Sequence, residues 1–78
     1  MEAHHKPEAE RLGKRILHYR NRKKITHQRL SNICNCSTKT IGRIENGKAL
    51  PGYGCLIDMA SAFGISLQHL VSHEPLLK

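Results

Sequence analysis

Residues 37–51 read STKTIGRIENGKALP. At about 100° per residue, Ile41 and Ile44 share one side of a helix, Lys39, Gly42, Arg43 and Asn46 share the other, and Glu45 lies beside the apolar side. Ser37 is a good N-cap, Asn46-Gly47 suits a left-handed stop, and Pro51 blocks any resumption. A helix of about three turns is not stable alone in water. Its apolar side must therefore pack on other elements, and its outward cations call for an acidic partner or for solvent.

Charge along the chain narrows that choice. Net charge is +7 over 78 residues, yet residues 11–48 hold eleven of the thirteen Lys and Arg against Glu45 alone. Such a block implies nucleic acid or an anionic membrane as partner, or else a solvated, solubilising surface. Membrane binding through the LGKR and RNRKK runs is the weaker reading, because the helix that carries them needs its apolar face for the core. No apolar run approaches the roughly 18 residues of a membrane span, and MEAHHKPEAE has no signal-peptide core, so a cytoplasmic chain is expected. Cys34, Cys36 and Cys55 are odd in number and suit a reducing compartment. The C-x-C pair has no second pair and no histidine at zinc-site spacing, so no metal is expected and the thiols read as small buried apolar groups. With no carboxylate pair, no nucleophile beside a base and no phosphate-cradling glycine loop, the chain reads as a non-enzyme without a cofactor.

Five helical segments and no strand emerge from the periodicity, all within one small core. Residues 1–8 are expected to be a disordered tail, residues 9–73 the folded domain and residues 74–78 a C-terminal tail. The first helix enters near Pro7, buries Leu12, Ile16 and Tyr19, and ends near Asn21 with RNRKK beyond it. Thr26 caps a second helix carrying Leu30, Ile33 and Cys34, which closes at Asn35, a residue that tolerates the left-handed turn. The third helix is the one quoted above. A fourth follows Pro51-Gly52 with Tyr53, Leu56, Ile57, Ala60 and Phe63 as core positions and stops at Gly64. Ser66 caps the fifth, with Leu67, Leu70 and Val71 apolar.

Two short helices joined by a tight turn, the second presenting a polar face, form the arrangement that seats a helix in the DNA major groove. From Leu12 to about Val71 the sequence resembles the Cro/C1-type helix-turn-helix family of phage repressors and restriction controllers. Leu12, Gly13, Ile16 and Arg20 carry the resemblance in the first helix, and Thr26, Leu30, Ser37, Thr40, Ile41, Ile44, Glu45 and Gly47 through the paired helices. Pro51, Leu56, Ala60, Gly64, Ser66, Leu67 and Leu70 continue it. The chain departs from the pattern at His27, Ser31 and Asn35, where many members have Gln, Ala and Gly. The resemblance implies an all-α five-helix bundle and base contacts from Thr38, Lys39 and Arg43. Arg43 has the fork that fits guanine O6 and N7, Lys39 donates to the same acceptors, and the Thr38 methyl meets a thymine methyl. Thr40, Ile41 and Ile44 read as core. Phosphate contacts are expected from Thr26, His27, Gln28, Asn46, Lys48 and Arg20, and the resemblance places Arg20 opposite Glu45 as an ion pair.

A transcription regulator binding double-stranded DNA is thus expected, a repressor or controller on a short palindromic operator. The alternative is an antitoxin that binds DNA with the same helices and neutralises a partner toxin with other surfaces. One recognition helix reads only a few base pairs, too few to select among roughly 10⁶ or more competing sites, so a homodimer is expected. Its interface is expected on the sparsely charged C-terminal part, at Ile65, Leu67, Leu70 and Val71, with Leu76 and Leu77 extending the patch.

Overall fold

The computed structural model describes residues 6–73, and the expectations for residues 1–5 and 74–78, including Leu76 and Leu77, lie outside the described residues. Five helices follow one another: α1 Lys6–Arg22, α2 His27–Cys34, α3 Thr38–Glu45, α4 Tyr53–Phe63 and α5 Leu67–Val71. Residues 6–8, expected in the tail, form the first turn of α1, because Pro7 is compatible with a helix start. Among the described residues there is no strand, and no helix is long and apolar enough to cross a membrane.

Local chemistry marks the boundaries. Thr26, Ser37 and Ser66 adopt extended backbone, and their side chains accept from the amides of Arg29, Thr40 and His69 respectively. These caps satisfy amides that the first turns leave orphaned. Asn35 takes the left-handed conformation at φ 56° and ends α2, while the Cys36 amide donates to Ser31 O at 2.9 Å. At the end of α3 the left-handed residue is Gly47, φ 75°, rather than Asn46, φ −87°.

The core gathers one stripe from each helix: Leu12 and Ile16, Leu30, Ile41 and Ile44, then Met59, Ala60 and Phe63, then Leu70. Tyr19 packs at its edge with its ring stacked on Phe63, centroids 6.0 Å apart. Tyr53 and Ile57, expected inside, are exposed. The stripe of α4 runs through Leu56, Met59, Ala60 and Phe63 at i, i+3, i+4 and i+7, and Ile57, one step of about 100° from Leu56, falls outside it. Met59 takes the place expected for them and is fully buried. Thr40 is likewise exposed, with its hydroxyl 3.0 Å from Ser37 Oγ. Cys34, Cys36 and Cys55 are only half-buried, packed against the core margin.

Two arginines of α1 turn back onto the fold. Arg15 is buried, donating from Nε to Leu70 O at 2.8 Å and from Nη2 to His69 O at 2.7 Å. Arg11 donates to Ser72 O at 2.6 Å and to Val71 O at 3.1 Å. Together they satisfy the carbonyls that the short α5 leaves open, with the charge sign that a helix C-terminus favours.

At Gly13 the backbones of α1 and α3 meet: a Cβ there would stand 2.4 Å from Ile44 O and 2.9 Å from Glu45 O. Gly42 is the opposite case, with nothing within 4 Å of its Cβ position. Gly13→Ala is therefore expected to cost about 1–3 kcal/mol by overpacking, whereas Gly42→Ala should stabilise by up to about 1 kcal/mol through helix propensity. Urea titrations of the two variants followed by circular dichroism should show midpoints displaced in opposite directions.

Candidate nucleic-acid interface

The second and third helices form a tight pair. Asn35, Cys36 and Ser37 make the turn between them, and Ser31, almost fully buried, gives its hydroxyl to Gln28 O at 2.7 Å. A small side chain at 31 lets the helices approach, and its hydroxyl is satisfied within its own helix.

This packing sets the orientation of α3. Ile41, Ile44 and Glu45 are buried, whereas Thr38, Lys39 and Arg43 are exposed, and Gly42 lies between them with open space outside. The three expected base-contact residues thus share one outward face with a gap at 42. In the free chain Arg43 rests its Nη2 3.4 Å from Lys48 O.

The buried end of α3 is held by charge. Arg20 Nε donates to Glu45 Oε2 at 2.5 Å and Nη2 to Oε1 at 3.3 Å, while Nη1 donates to Ile25 O at 2.8 Å. The side chains of Arg20 and Glu45 retain 14% and 5% of their exposure. The expected ion pair is therefore present, two-toothed and nearly dry. The guanidinium of Arg20, expected at a phosphate, is turned inward onto Glu45 and Ile25. His27 joins the same carboxylate, its Nε2–H reaching Glu45 Oε1 at 2.8 Å. That contact was not legible from the sequence, where His27 reads as a departure at a phosphate position. Its signal, if any, is the coincidence of a histidine at the first position of α2 with a carboxylate that needs a second donor.

Around this rigid centre lie the remaining expected phosphate residues. Thr26 and Gln28 are exposed at the N-terminus of α2, where Thr26, Gln28, Arg29, Asn32 and Ile33 line a shallow open groove. Asn46 and Lys48 are exposed just beyond α3. Backbone amides at a helix start and exposed cations are the groups that phosphate oxygens accept from. Arg22, Lys23, Lys24 and Arg29 add exposed positive charge in the same stretch of chain.

Two of the three thiols are held in their neutral form by burial. Burial pushes Cys34 far above the ordinary thiol range, reinforced by its contact with Cys55, whose carbonyl lies 3.8 Å from Cys34 Sγ. Burial also raises Cys36. Both stay protonated at neutral pH and are poor nucleophiles and ligands. Among the described residues no three His, Cys, Asp or Glu side chains gather as a metal site. Of the expected interface residues, Leu70 is fully buried in the monomer core and has no surface to offer a partner, because α5 is too short to both close the core and show that side chain outward. Ile65, Leu67 and Val71 are half-buried against the core.

Residues 11–73 match the family model described as a helix-turn-helix domain. No curated protein and no solved structure matches the chain at significance.

Removing one member of a nearly dry ion pair strands the other. Arg20→Ala is expected to destabilise the fold by more than the roughly 1 kcal/mol limit of exposed pairs, towards the about 3–5 kcal/mol of buried ones. A double-mutant cycle with Glu45→Gln, read by chemical denaturation, should return a clear coupling energy; independent effects at the two positions would contradict the geometry.

Proposed function

The chain belongs to the helix-turn-helix domain family, and from that premise we propose that it is a sequence-specific regulator of transcription that seats α3 in the major groove of double-stranded DNA. One observation carries the reading. The outward face of α3 holds Thr38, Lys39 and Arg43 around an open Gly42, while its inward face is locked by Ile41, Ile44 and the Arg20–Glu45–His27 cluster. A helix so presented offers a guanine-binding fork, an ammonium donor and a methyl at neighbouring positions, which is what base edges discriminate. Gly42 lets the helix axis come close to the groove floor.

Phosphates are held by Thr26, Gln28, Asn46 and Lys48, helped by the free amides of the α2 N-terminus. His27 serves by tying α2 to Glu45, which fixes the angle at which those amides meet the backbone. The operator is palindromic and two copies bind it, with half-sites about 10 base pairs apart, one turn of the duplex. In the Cro/C1 manner that the sequence resembles, such occupancy blocks or positions polymerase, so the role is that of a repressor or controller, without catalysis and within the cytoplasm.

Affinity for a site selected from random duplex DNA should fall linearly with salt on logarithmic axes, by about 0.9 per phosphate neutralised. Arg43→Ala should cost about 1–3 kcal/mol on that site and relax preference at one base pair. Gly42→Ala should bind more weakly while being no less stable. A salt slope near zero, or equal losses for Arg43→Ala on selected and random DNA, would remove the proposed reading of α3.

A further inference from the structure

Cys34, Cys36 and Cys55 are all free, half-buried and packed against the core. Cys34 closes α2, Cys36 stands in the turn to α3, and Cys55 is the third residue of α4. Thiols remote in sequence are thus brought together where α2 meets α4. The Cys34 thiol lies 3.8 Å from the Cys55 carbonyl oxygen and is hydrogen-bonded to the Cys55 side chain as well, whereas Cys36 acts on Cys55 through space.

We propose that Cys34 and Cys55 are a redox pair, oxidised by a hydroperoxide to a disulfide that staples α2 to α4. The loop so closed, residues 35–54, holds the turn, the whole of α3 and the segment that leads into α4. The bond therefore anchors both ends of the segment that carries α3. None of this depends on what α3 binds.

Burial holds Cys34 and Cys36 as neutral thiols, which leaves the attack on peroxide to Cys55. An S–O bond forms at Cys55, the O–O bond breaks, and the thiol proton leaves on the second oxygen as water, or as an alcohol from an organic peroxide. The sulfur is oxidised by two electrons to a sulfenic acid, and the peroxide is reduced by the same two. Cys34 then attacks that sulfur. An S–S bond forms, the S–O bond breaks, and the hydroxyl departs with the Cys34 proton as water. A neutral thiol is a slow nucleophile in free solution, but this one is already held against its target, and proximity supplies what reactivity lacks. Small thiols in excess reverse the bond: two of them are oxidised to their own disulfide while Cys34 and Cys55 regain their protons. A transient bond of this kind is the form that suits a reducing compartment. Closing a loop of about 20 residues restricts the unfolded chain, so the linked form should have its folding equilibrium raised about ten-fold or more.

Hydrogen peroxide in slight excess is the probe. In the parent, fragmentation of the linked peptide should place the bond between Cys55 and Cys34 rather than Cys36, with no dimer on a non-reducing gel. Cys36→Ser should keep the link, its mass falling by two hydrogens. Added to that background, Cys34→Ser should stop at a sulfenic acid on Cys55 that dimedone traps, and Cys55→Ser should yield no dimedone adduct. Urea titration of the linked chain should show the gain in folding equilibrium, and dithiothreitol should abolish it. A bond from Cys55 to Cys36, a link between chains, or oxidation of single thiols with no link would overturn the pair. An unchanged or weakened folding equilibrium in the linked chain would overturn the staple.

Discussion

A single carboxylate organises this fold. Glu45 stands at the end of α3, nearly out of reach of water, and accepts from Arg20 of α1 and His27 of α2. An ionised carboxylate in such a place is tolerated only when its lone pairs are met by donors. Because the donors come from two other helices, satisfying the charge fixes three helices relative to one another. Apolar contacts among Leu12, Ile16, Leu30, Ile41 and Ile44 supply most of the burial, but they are non-directional. The charge cluster adds direction, so that the face carrying Thr38, Lys39 and Arg43 points one way only.

The cations of α1 show why composition alone overstates a binding surface. Eleven positive side chains in residues 11–48 suggest a broad basic face. Arg11, Arg15 and Arg20 are instead turned to carbonyls of the last helix, to Ile25 and to Glu45. An arginine suits such posts because its planar fork donates along several directions while its stem covers apolar surface. What remains exposed for a polyanion is Lys14 on α1, Arg22, Lys23 and Lys24 where α1 ends, and Arg29, Lys39, Arg43 and Lys48 on α2, α3 and the turn beyond.

Helix boundaries were legible in the sequence because caps are local: Thr26, Ser37 and Ser66 bond to amides three residues away, and Gly64 needs only its own left-handed freedom. The outward face of α3 was legible for the same reason, since it follows from the period of one short helix. Distant partnerships were not. Nothing near His27 in sequence announces a carboxylate eighteen residues on, and nothing near Arg15 announces carbonyls fifty-four and fifty-five residues on. On α4 the error was of another kind. Tyr53 and Ile57 read as core because they are apolar, but the stripe that packs is set by Leu56, Met59, Ala60 and Phe63, and apolar residues beside a full stripe are left in solvent.

The arginine clasp between α1 and α5 also bears on how the chain acquires its structure during synthesis. Arg11 and Arg15 lie near the beginning of the chain, and the carbonyls they hold belong to residues 69–72. Leu70, which completes the core above Leu12 and Ile16, emerges equally late. Until those residues leave the ribosome, the arginines of α1 lack these carbonyl acceptors and α1 lacks its packing on α5, while α3 and α4 are already there to cover the rest of its inner face. Closure of a loop this long must precede the contacts that reward it. Completion of the core, and of the arginine clasp that closes it, therefore waits on residues 69–72.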